Sequence, residues 1–151
     1  MRLWSISKRR QLSRLMLMDK DKEAVIRGLD WTPDGRYVIA ADNKAFLHLI
    51  SVDRNNSLVE VGKPFRTKTT DIVEKRKFKK GVCFVEEVKI SPNGRFIIIG
   101  AHAAGSLFEV IGLNGETLSL VREHKTNITS ALLHADWSTK EDLYVVNSQG
   151  Y

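Results

Sequence analysis

The sequence predicts an all-β chain built of repeated four-stranded antiparallel meanders. Four runs of β-branched and aromatic residues follow one another at 83–90, 96–100, 107–111 and 118–121. Glycine, proline, asparagine and serine separate these runs, and short runs with such turn residues between them are typical of antiparallel strands. The pairs Asn93-Gly94 and Asn114-Gly115 are hairpin signals.

The same meander recurs along the chain. Residues 30–39 match residues 89–98 position by position, with the turn Pro33-Asp34-Gly35 in one copy and Pro92-Asn93-Gly94 in the other. Residues 136–146 form a looser third copy that lacks the Pro-Gly turn, and the three copies begin 59 and 47 residues apart. A meander repeated at about 40 to 60 residues indicates a β-propeller with one four-stranded blade per repeat.

The repeat divides the chain into five parts. We predict the end of a preceding blade at 1–18, a first full blade at 23–62, a basic insertion at 63–80, a second full blade at 81–123 and the start of a further blade at 124–151. The insertion fits no strand template and accounts for the longer interval between the first two copies. The two half-blades would expose strand edges and apolar faces, which indicates a partial β-propeller that more chain or partner proteins complete.

The first 18 residues allow two interpretations. They contain five basic residues and no acidic one, a composition that also suits a mitochondrial presequence. Alternatively, 1–6 and 12–17 are the third and fourth strands of a blade, with a turn between them. The second interpretation explains Trp4 and places a strand where the repeat requires one, and we therefore favour it.

The composition excludes some classes of protein. The chain has 151 residues, of which 42% are hydrophobic, as expected for one globular domain. No run approaches the ~20 apolar residues that cross a bilayer, so no membrane partner is expected. The single cysteine, Cys83, can form no internal disulfide and is interpreted as a buried structural thiol, which fits cytoplasmic residence.

The blade motifs resemble a known family. Leu3-Trp4-Ser5 resembles the strand-ending Trp-Asp dipeptide of WD repeats, Asp30-Trp31 begins a segment similar to their first turn, and His124 resembles the histidine that precedes a blade. Residues 128–138, which include Asp136 and Trp137, and residues 146–151 are similar to a stretch of the echinoderm microtubule-associated-protein-like family. The resemblance implies WD-type blades whose structural motif residues are Trp4, Asp30, Trp31, His124, Asp136 and Trp137.

The same resemblance implies a function. Members of that family carry tandem propellers that bind tubulin and microtubules. The expectation is therefore a non-enzymatic scaffold on the cytoskeleton, with the axoneme of a cilium or flagellum as one location. Other proteins that complete or neighbour the propeller are further expected partners. The alternatives are a general WD-repeat adaptor in a multiprotein complex and a nucleic-acid-binding protein, the latter being less favoured.

No catalytic or metal-binding pattern is present in the sequence. The four histidines, His48, His102, His124 and His134, lack metal-ligand spacing with acidic residues or cysteine. His48 alternates within an apolar strand, and we interpret it as a sheet-face residue. His124 is either hydrogen-bonded within the blade or a solvated linker residue. Glu86 and Glu87 point to opposite faces of a strand and cannot act together. We therefore expect neither enzymatic activity nor a cofactor.

The insertion holds most of the net charge. Between Arg66 and Lys80 seven basic residues stand against two acidic ones, a net +5 of the chain's +6. The candidate partner-binding residues are Arg66, Lys68, Lys75, Arg76, Lys77, Lys79 and Lys80. Three interpretations remain open: a solvated loop, a contact with the acidic surface of tubulin, and a signal for nuclear import or nucleic-acid contact.

Overall fold

The computed structural model describes residues 1–19, 22–75, 84–102, 106–126, 131–139 and 144–150. In these residues the protein is all-β apart from one short helix, and the predicted fold class is confirmed at that level. The N-terminal strands are β1 (Arg2–Ser5), β2 (Arg10–Arg14), β3 (Met18–Asp19) and β4 (Lys22–Glu23). Next come β5 (Ile26–Trp31), β6 (Tyr37–Asp42), β7 (Phe46–Val52), β8 (Leu58–Glu60), β9 (Phe65–Arg66) and helix α1 (Lys68–Lys75). The remaining strands are β10 (Phe84–Ile90), β11 (Phe96–His102), β12 (Ser106–Asn114), β13 (Thr117–Thr126), β14 (Ala131–Trp137) and β15 (Tyr144–Gly150).

Two sheets carry the repeat. In the first sheet the order is β5-β6-β7-β8, with β9 also paired to β7. In the second sheet the order is β10-β11-β12-β13. All pairs are antiparallel, and β5–β6 and β10–β11 each carry a register shift near the start of the first strand. Both sheets are therefore meanders in which neighbours in sequence are neighbours in space.

The two sheets pack face to face along their first strands. β10 contacts β5 and β6 on one side and β14 on the other, and β14 also contacts β11. The core between the first and second sheets contains Ile39, Leu47, Leu49, Ile97 and Ile99, all at most 3% exposed. A continuous run of buried aliphatic residues on the second strand of each sheet makes this packing possible, because successive side chains enter the cores on opposite faces.

Two-stranded sheets lie at the two ends of this stack. The β1–β2 hairpin packs Leu3 and Leu15 against the outer face of the first sheet. There the backbone N–H of Leu58, at the start of β8, donates to Ser13 Oγ over 3.2 Å. At the other end, the β14–β15 sheet packs Ala135 and Trp137 on the outer face of the second sheet. Two strands are thus present in the first 18 residues, but the second occupies Arg10–Arg14 and not the expected 12–17.

The structure corrects the expectation for the insertion. Residues 65–66 form β9, and α1 occupies Lys68–Lys75, so the segment is not without strands or regular structure. The charged connection expected near Asp19 also contains a small hairpin, β3–β4. Cys83 lies outside the described residues, as do the side chains of Glu86, His102 and His134. Among the residues described, no helix has the length and apolar character needed to span a membrane.

Candidate functional site

The first repeat contains a tightly hydrogen-bonded turn between β5 and β6. Thr32 Oγ1 donates to Asp34 Oδ1 over 2.7 Å and accepts the backbone N–H of Tyr37 at 2.9 Å. The Arg36 guanidinium donates to Asp34 Oδ2 over 2.6 Å. Gly35 has a φ of +70°, which a residue without Cβ adopts readily. The hydrogen bond from Thr32, followed by those from Arg36, lowers the pKa of Asp34 from 3.8 to about 2.

The second repeat builds the same turn between β10 and β11. Ser91 Oγ donates to Asn93 Oδ1 over 2.7 Å and accepts the backbone N–H of Phe96 at 2.9 Å, and Gly94 has a φ of +73°. Asn93 takes the place of the aspartate and cannot form the ion pair. Its Nδ2 atom is buried and has no hydrogen-bond partner within the described part of the chain. The sequence repeat is therefore a structural repeat with one chemical difference.

A surface groove runs between the two turns and the β12–β13 hairpin. It encloses about 690 Å³ and is lined by polar and aromatic side chains, including Arg36, Tyr37 and Phe96. The Tyr37 hydroxyl donates to Glu116 Oε1 over 3.2 Å and joins the first turn to the hairpin of the second sheet. The groove is open and holds no arrangement of nucleophile and base. We interpret it as the seam between two packed repeats.

Asp30 connects the first strands of the two sheets. Its Oδ1 accepts the backbone N–H of Trp31 at 2.8 Å, and its Oδ2 accepts the backbone N–H of Ile90 at 2.8 Å. A carboxylate with two backbone donors is a strong acceptor that fixes the relative position of both strands. Trp31 itself is 41% exposed, so its ring is not a core element in the described structure.

The third copy of the motif attaches to the second sheet. Asp136 accepts the backbone N–H of Trp137 at 2.9 Å, as Asp30 does from the residue that follows it. Trp137 Nε1 donates to the carbonyl of Lys89 over 3.1 Å, and its ring stacks on Phe96 with the ring centres 6.1 Å apart. The hydrogen bond to the backbone of β10 therefore comes from a tryptophan side chain in the third copy and from a carboxylate in the first.

His124 and Trp4 have very different surroundings. His124 lies on β13, and its Nε2 forms a 2.5 Å hydrogen bond with the hydroxyl of Tyr144 on β15. It is not a solvated linker residue, since it joins the second sheet to the next one. Trp4 lies on β1 and is 60% exposed. The six motif residues thus lie on β1, β5, β13 and β14, which belong to four different sheets, and they do not form one pocket.

The described part of the basic insertion is anchored to the sheets. Arg66 Nε donates to Asp71 Oδ1 over 2.6 Å, and its guanidinium lies 5.9 Å from the ring centre of Phe46. Lys68 is exposed at the start of α1. Lys75 is the last residue of α1, and its side chain lies outside the described part of the chain. The other candidate partner-binding residues lie outside the described residues: Arg76, Lys77, Lys79 and Lys80.

Glu109 holds the start of α1 and was not found from the sequence. This glutamate on β12 is fully buried, and its carboxylate accepts the backbone N–H of Lys68 at 2.7 Å, the N–H of Thr69 at 3.0 Å and the hydroxyl of Thr69 at 2.9 Å. A negative charge at a helix N-terminus satisfies amide donors that the helix leaves unpaired. Nearby, Thr67 donates to the carbonyl of Ala45 over 2.9 Å. The signal in the sequence is a lone glutamate within the apolar run 107–111.

His48 occupies the corresponding position of the first sheet. Ala40 pairs with His48, as Ile99 pairs with Glu109, and both polar side chains are almost completely buried. His48 Nδ1 lies 2.6 Å from Glu60 Oε1, and its Nε2 lies 3.5 Å from Asp42 Oδ2. Burial alone would lower the pKa of His48, but the proximity of the Asp42 carboxylate and the hydrogen bond and charge of Glu60 outweigh burial, so the pKa is raised above its ordinary value of 6.5. His48 is on a sheet face, as interpreted from the sequence, but its acidic partners were not predicted.

The described residues contain no group of three or more histidine, cysteine or acidic side chains arranged to hold a metal ion. Comparison with known proteins adds no assignment, because no protein-family model matches the chain and no curated protein matches it. The candidate functional features in the described residues are therefore the contacts between neighbouring sheets, which recur from repeat to repeat, and the attachment of the start of α1 to Glu109 at the beginning of the basic insertion.

Proposed function

We propose that the chain is a segment of a WD-type β-propeller that serves as a non-enzymatic scaffold on microtubules. One observation carries the propeller part. The two four-stranded meanders repeat the same turn hydrogen bonds, and their first strands, β5 and β10, pack side by side. β14, the first strand of the next sheet, packs against β10 in the same way. Radial repetition of four-stranded sheets is the architecture of propellers.

The scaffold role follows from the kind of contacts that the sheets make. Asp30 and Trp137 each join the first strand of one sheet to the first strand of its neighbour through backbone groups. Such contacts hold the sheets in fixed positions and leave the loops at the sheet ends available for partners. Rigid sheets that present loops are a common basis for protein recognition.

The microtubule part depends on the resemblance of the motifs and on the charge of the insertion. Seven basic residues between Arg66 and Lys80 would attract the acidic surface of tubulin and raise the association rate. Glu109 fixes the N-terminal end of α1, so the basic residues from Lys75 onward follow an anchored segment. An anchored base reduces the ordering entropy that binding would otherwise cost.

Co-sedimentation of the full chain with microtubules tests this proposal. In the test variant Lys75, Arg76, Lys77, Lys79 and Lys80 become glutamine. The matched control replaces five exposed basic residues of the β1–β2 hairpin in the same way: Arg2, Lys8, Arg9, Arg10 and Arg14. Both variants lose the same formal charge. We expect the wild type and the control to pellet, the test variant to pellet much less, and wild-type binding to weaken with salt.

Two results would contradict a specific role of the insertion, and two others would favour a different function. Equal pelleting of the wild type and the test variant would remove the insertion from the contact. An equal loss of pelleting in both variants would show that binding depends on net charge alone and not on the insertion. A wild type that does not pellet but is recovered in a protein complex without tubulin would favour the general adaptor. Retention on RNA or DNA with a steep salt dependence would favour nucleic-acid binding.

A further inference from the structure

A cleft separates the outer strands of the two complete sheets, next to the start of the basic insertion. It has a volume of about 410 Å³, and we name it the Lys63 cleft. Its main lining residues are Leu49, Val61, Lys63, Phe65, Thr117 and Leu118. These residues come from β7, from the segment between β8 and β9, from β9 and from the start of β13, so the two complete sheets form the cleft between them.

The floor of the Lys63 cleft is apolar. Leu49 belongs to the core between the two sheets and is 3% exposed. Val61, Phe65 and Leu118 are half-buried and pack against the same core, and all three also line the cleft. An apolar floor gains free energy by covering an aliphatic side chain, and a phosphate or sugar group would gain little there. The volume is also within the range of pockets that hold ligands.

One wall of the cleft is already fixed by the fold. The backbone N–H of Val61 donates to the carbonyl of Leu49 over 2.8 Å, and Phe65 pairs with Leu47 where β9 joins β7. Between these two points Gly62 has a φ of +68°, and Pro64 restricts its own φ through its ring. A wall that is held at both ends needs little further ordering when a ligand binds, which favours affinity.

The charge beside the cleft favours an acidic occupant. Lys63 is exposed on the lining and has no ion pair within the described residues. Residues 63–80 hold eight basic residues against two acidic ones, a net +6. Glu116, the acidic residue of the lining, is exposed and accepts a hydrogen bond from Tyr37 at 3.2 Å. The positive potential of the insertion therefore dominates at this end of the cleft.

We propose that the Lys63 cleft binds an extended acidic peptide segment of a partner protein. One aliphatic side chain of the segment lies on the apolar floor, and its carboxylates face Lys63 and the basic insertion. This binding mode rests on the proposed role of the insertion and deepens it, because it names the chemistry of the segment that the insertion attracts. The partner need not be tubulin, since the cleft is formed by residues other than those from Lys75 to Lys80.

Fluorescence anisotropy of the full chain with a labelled peptide tests the proposal without microtubules. The probe is the fluorescein-labelled peptide Gly-Glu-Glu-Leu-Glu-Glu, and the control peptide has alanine in place of leucine. We expect the leucine peptide to bind saturably. The alanine peptide should bind about tenfold more weakly, because it loses the apolar contact with the floor and keeps the same charge.

Two variants of the chain test the two halves of the contact. Lys63→Gln should weaken binding of the leucine peptide about threefold, as expected for an exposed charge. Thr117→Trp should weaken it about tenfold or more, because the indole fills the cleft from an exposed strand position that suits an aromatic residue. The matched controls are Lys8→Gln and Asn55→Trp, which are exposed turn residues outside the lining and should change nothing. Circular dichroism of each variant establishes that it is folded.

Several outcomes would overturn the peptide site. They are equal affinity for the two peptides, no binding of the leucine peptide at about 1 mM, and binding that Thr117→Trp leaves unchanged. Tighter binding of a DNA oligonucleotide of equal charge, also weakened by Thr117→Trp, would assign the cleft to nucleic acid. A chain that self-associates in analytical ultracentrifugation and that Thr117→Trp makes monomeric would assign it to a second copy.

A last comparison separates this site from the microtubule contact. The variant with glutamine at 75, 76, 77, 79 and 80 should bind both peptides more weakly and still prefer the leucine peptide, because its cleft is intact. Loss of that preference would overturn the role of the cleft. A wild type that prefers the leucine peptide but does not pellet with microtubules would support the cleft and overturn the tubulin contact alone.

Discussion

The two complete sheets place different ionisable groups at the same buried position of their third strand. In the first sheet His48 lies between two carboxylates of its own sheet, Asp42 and Glu60. In the second sheet Glu109 binds the backbone and hydroxyl of residues outside its sheet, at the start of α1. Glu109 is fully hydrogen-bonded, as burial requires, whereas the His48 ring is hydrogen-bonded only through Nδ1, and the buried His48 Nε2 and Asp42 Oδ2 atoms have no hydrogen-bond partner in the described part of the chain.

The difference teaches how a repeat acquires individual features without a change of fold. The His48 cluster makes the first sheet self-contained, because all three partners lie on β6, β7 and β8. The Glu109 cluster makes the second sheet dependent on the insertion. One position on the strand therefore serves internal stability in one sheet and attachment of a basic segment in the other.

Replacement of Glu109 should give the largest effect. Glu109→Ala leaves two backbone N–H groups and one hydroxyl without their acceptor in a buried place, and we expect a loss of about 3 kcal/mol in the free energy of unfolding. Glu116→Ala is the matched control, because Glu116 is exposed and forms one long hydrogen bond with Tyr37. We expect it to cost less than about 0.5 kcal/mol. Chemical denaturation measures both values.

The same variant distinguishes anchoring from general destabilisation. Hydrogen exchange at the amides of α1 should accelerate more in Glu109→Ala than exchange at the amides of β6 and β7. Equal acceleration in all three elements would show that Glu109 supports the whole stack and not the attachment of the helix.

The His48 cluster predicts a pH dependence of stability. The folded-state pKa of His48 is raised above its ordinary value of 6.5. The stabilisation is therefore complete below about pH 6.5 and is lost as the pH rises through the raised folded-state pKa. Denaturant unfolding at a series of pH values should reveal this fall in the wild type. In His48→Gln the fall should be absent, and a fall of equal size in the variant would assign it to another group.

The smallest expected effects come from exchanging the two turn residues. Asn93→Asp removes a buried Nδ2 without a partner and recreates the carboxylate of the first turn, so we expect a gain of about 0.5 kcal/mol. Asp34→Asn should cost about as much, since the ion pair with Arg36 is largely exposed and solvent weakens it. Thermal unfolding of the two single variants checks both signs.

Unfolding measured at low pH gives a second test of the Asp34→Asn and Asn93→Asp variants. Because the pKa of Asp34 is lowered from 3.8 to about 2, its stabilisation is present above about pH 3.8 and is lost as the pH falls through about 2. The Asp34→Asn variant should lack this step, whereas Asn93→Asp should add one. A wild type and an Asp34→Asn variant with the same acid profile would contradict the assignment.

The sequence predicted the strands of both complete sheets because each strand has its own local signals. Alternating or continuous apolar runs and the turns at Gly35 and Gly94 depend on residues close in sequence. The prediction of an insertion without strands failed at 65–75, since the short strand β9 is defined by its pairing with β7 and the start of α1 by an acceptor from β12. Neither signal is contained in the segment itself.

The candidate site was predicted only in part for the same reason. Asp30, His124 and Trp137 were selected by motif, but their partners Ile90, Tyr144 and Lys89 became evident only from the packing of neighbouring sheets. The roles of His48 and Glu109 were missed, because an ionisable residue in an apolar strand indicates burial but does not identify the group that compensates for it.

By itself, the sequence determined the all-β class, the repeat and the chemistry of its turns, since these depend on backbone preferences and on periodicity within a few residues. Only the tertiary structure decided which polar groups meet: His48 with two carboxylates and Glu109 with the start of α1. The physical reason is that a buried charge is stable only with a matching partner, and that partner lies on another strand or helix, beyond the reach of local sequence signals.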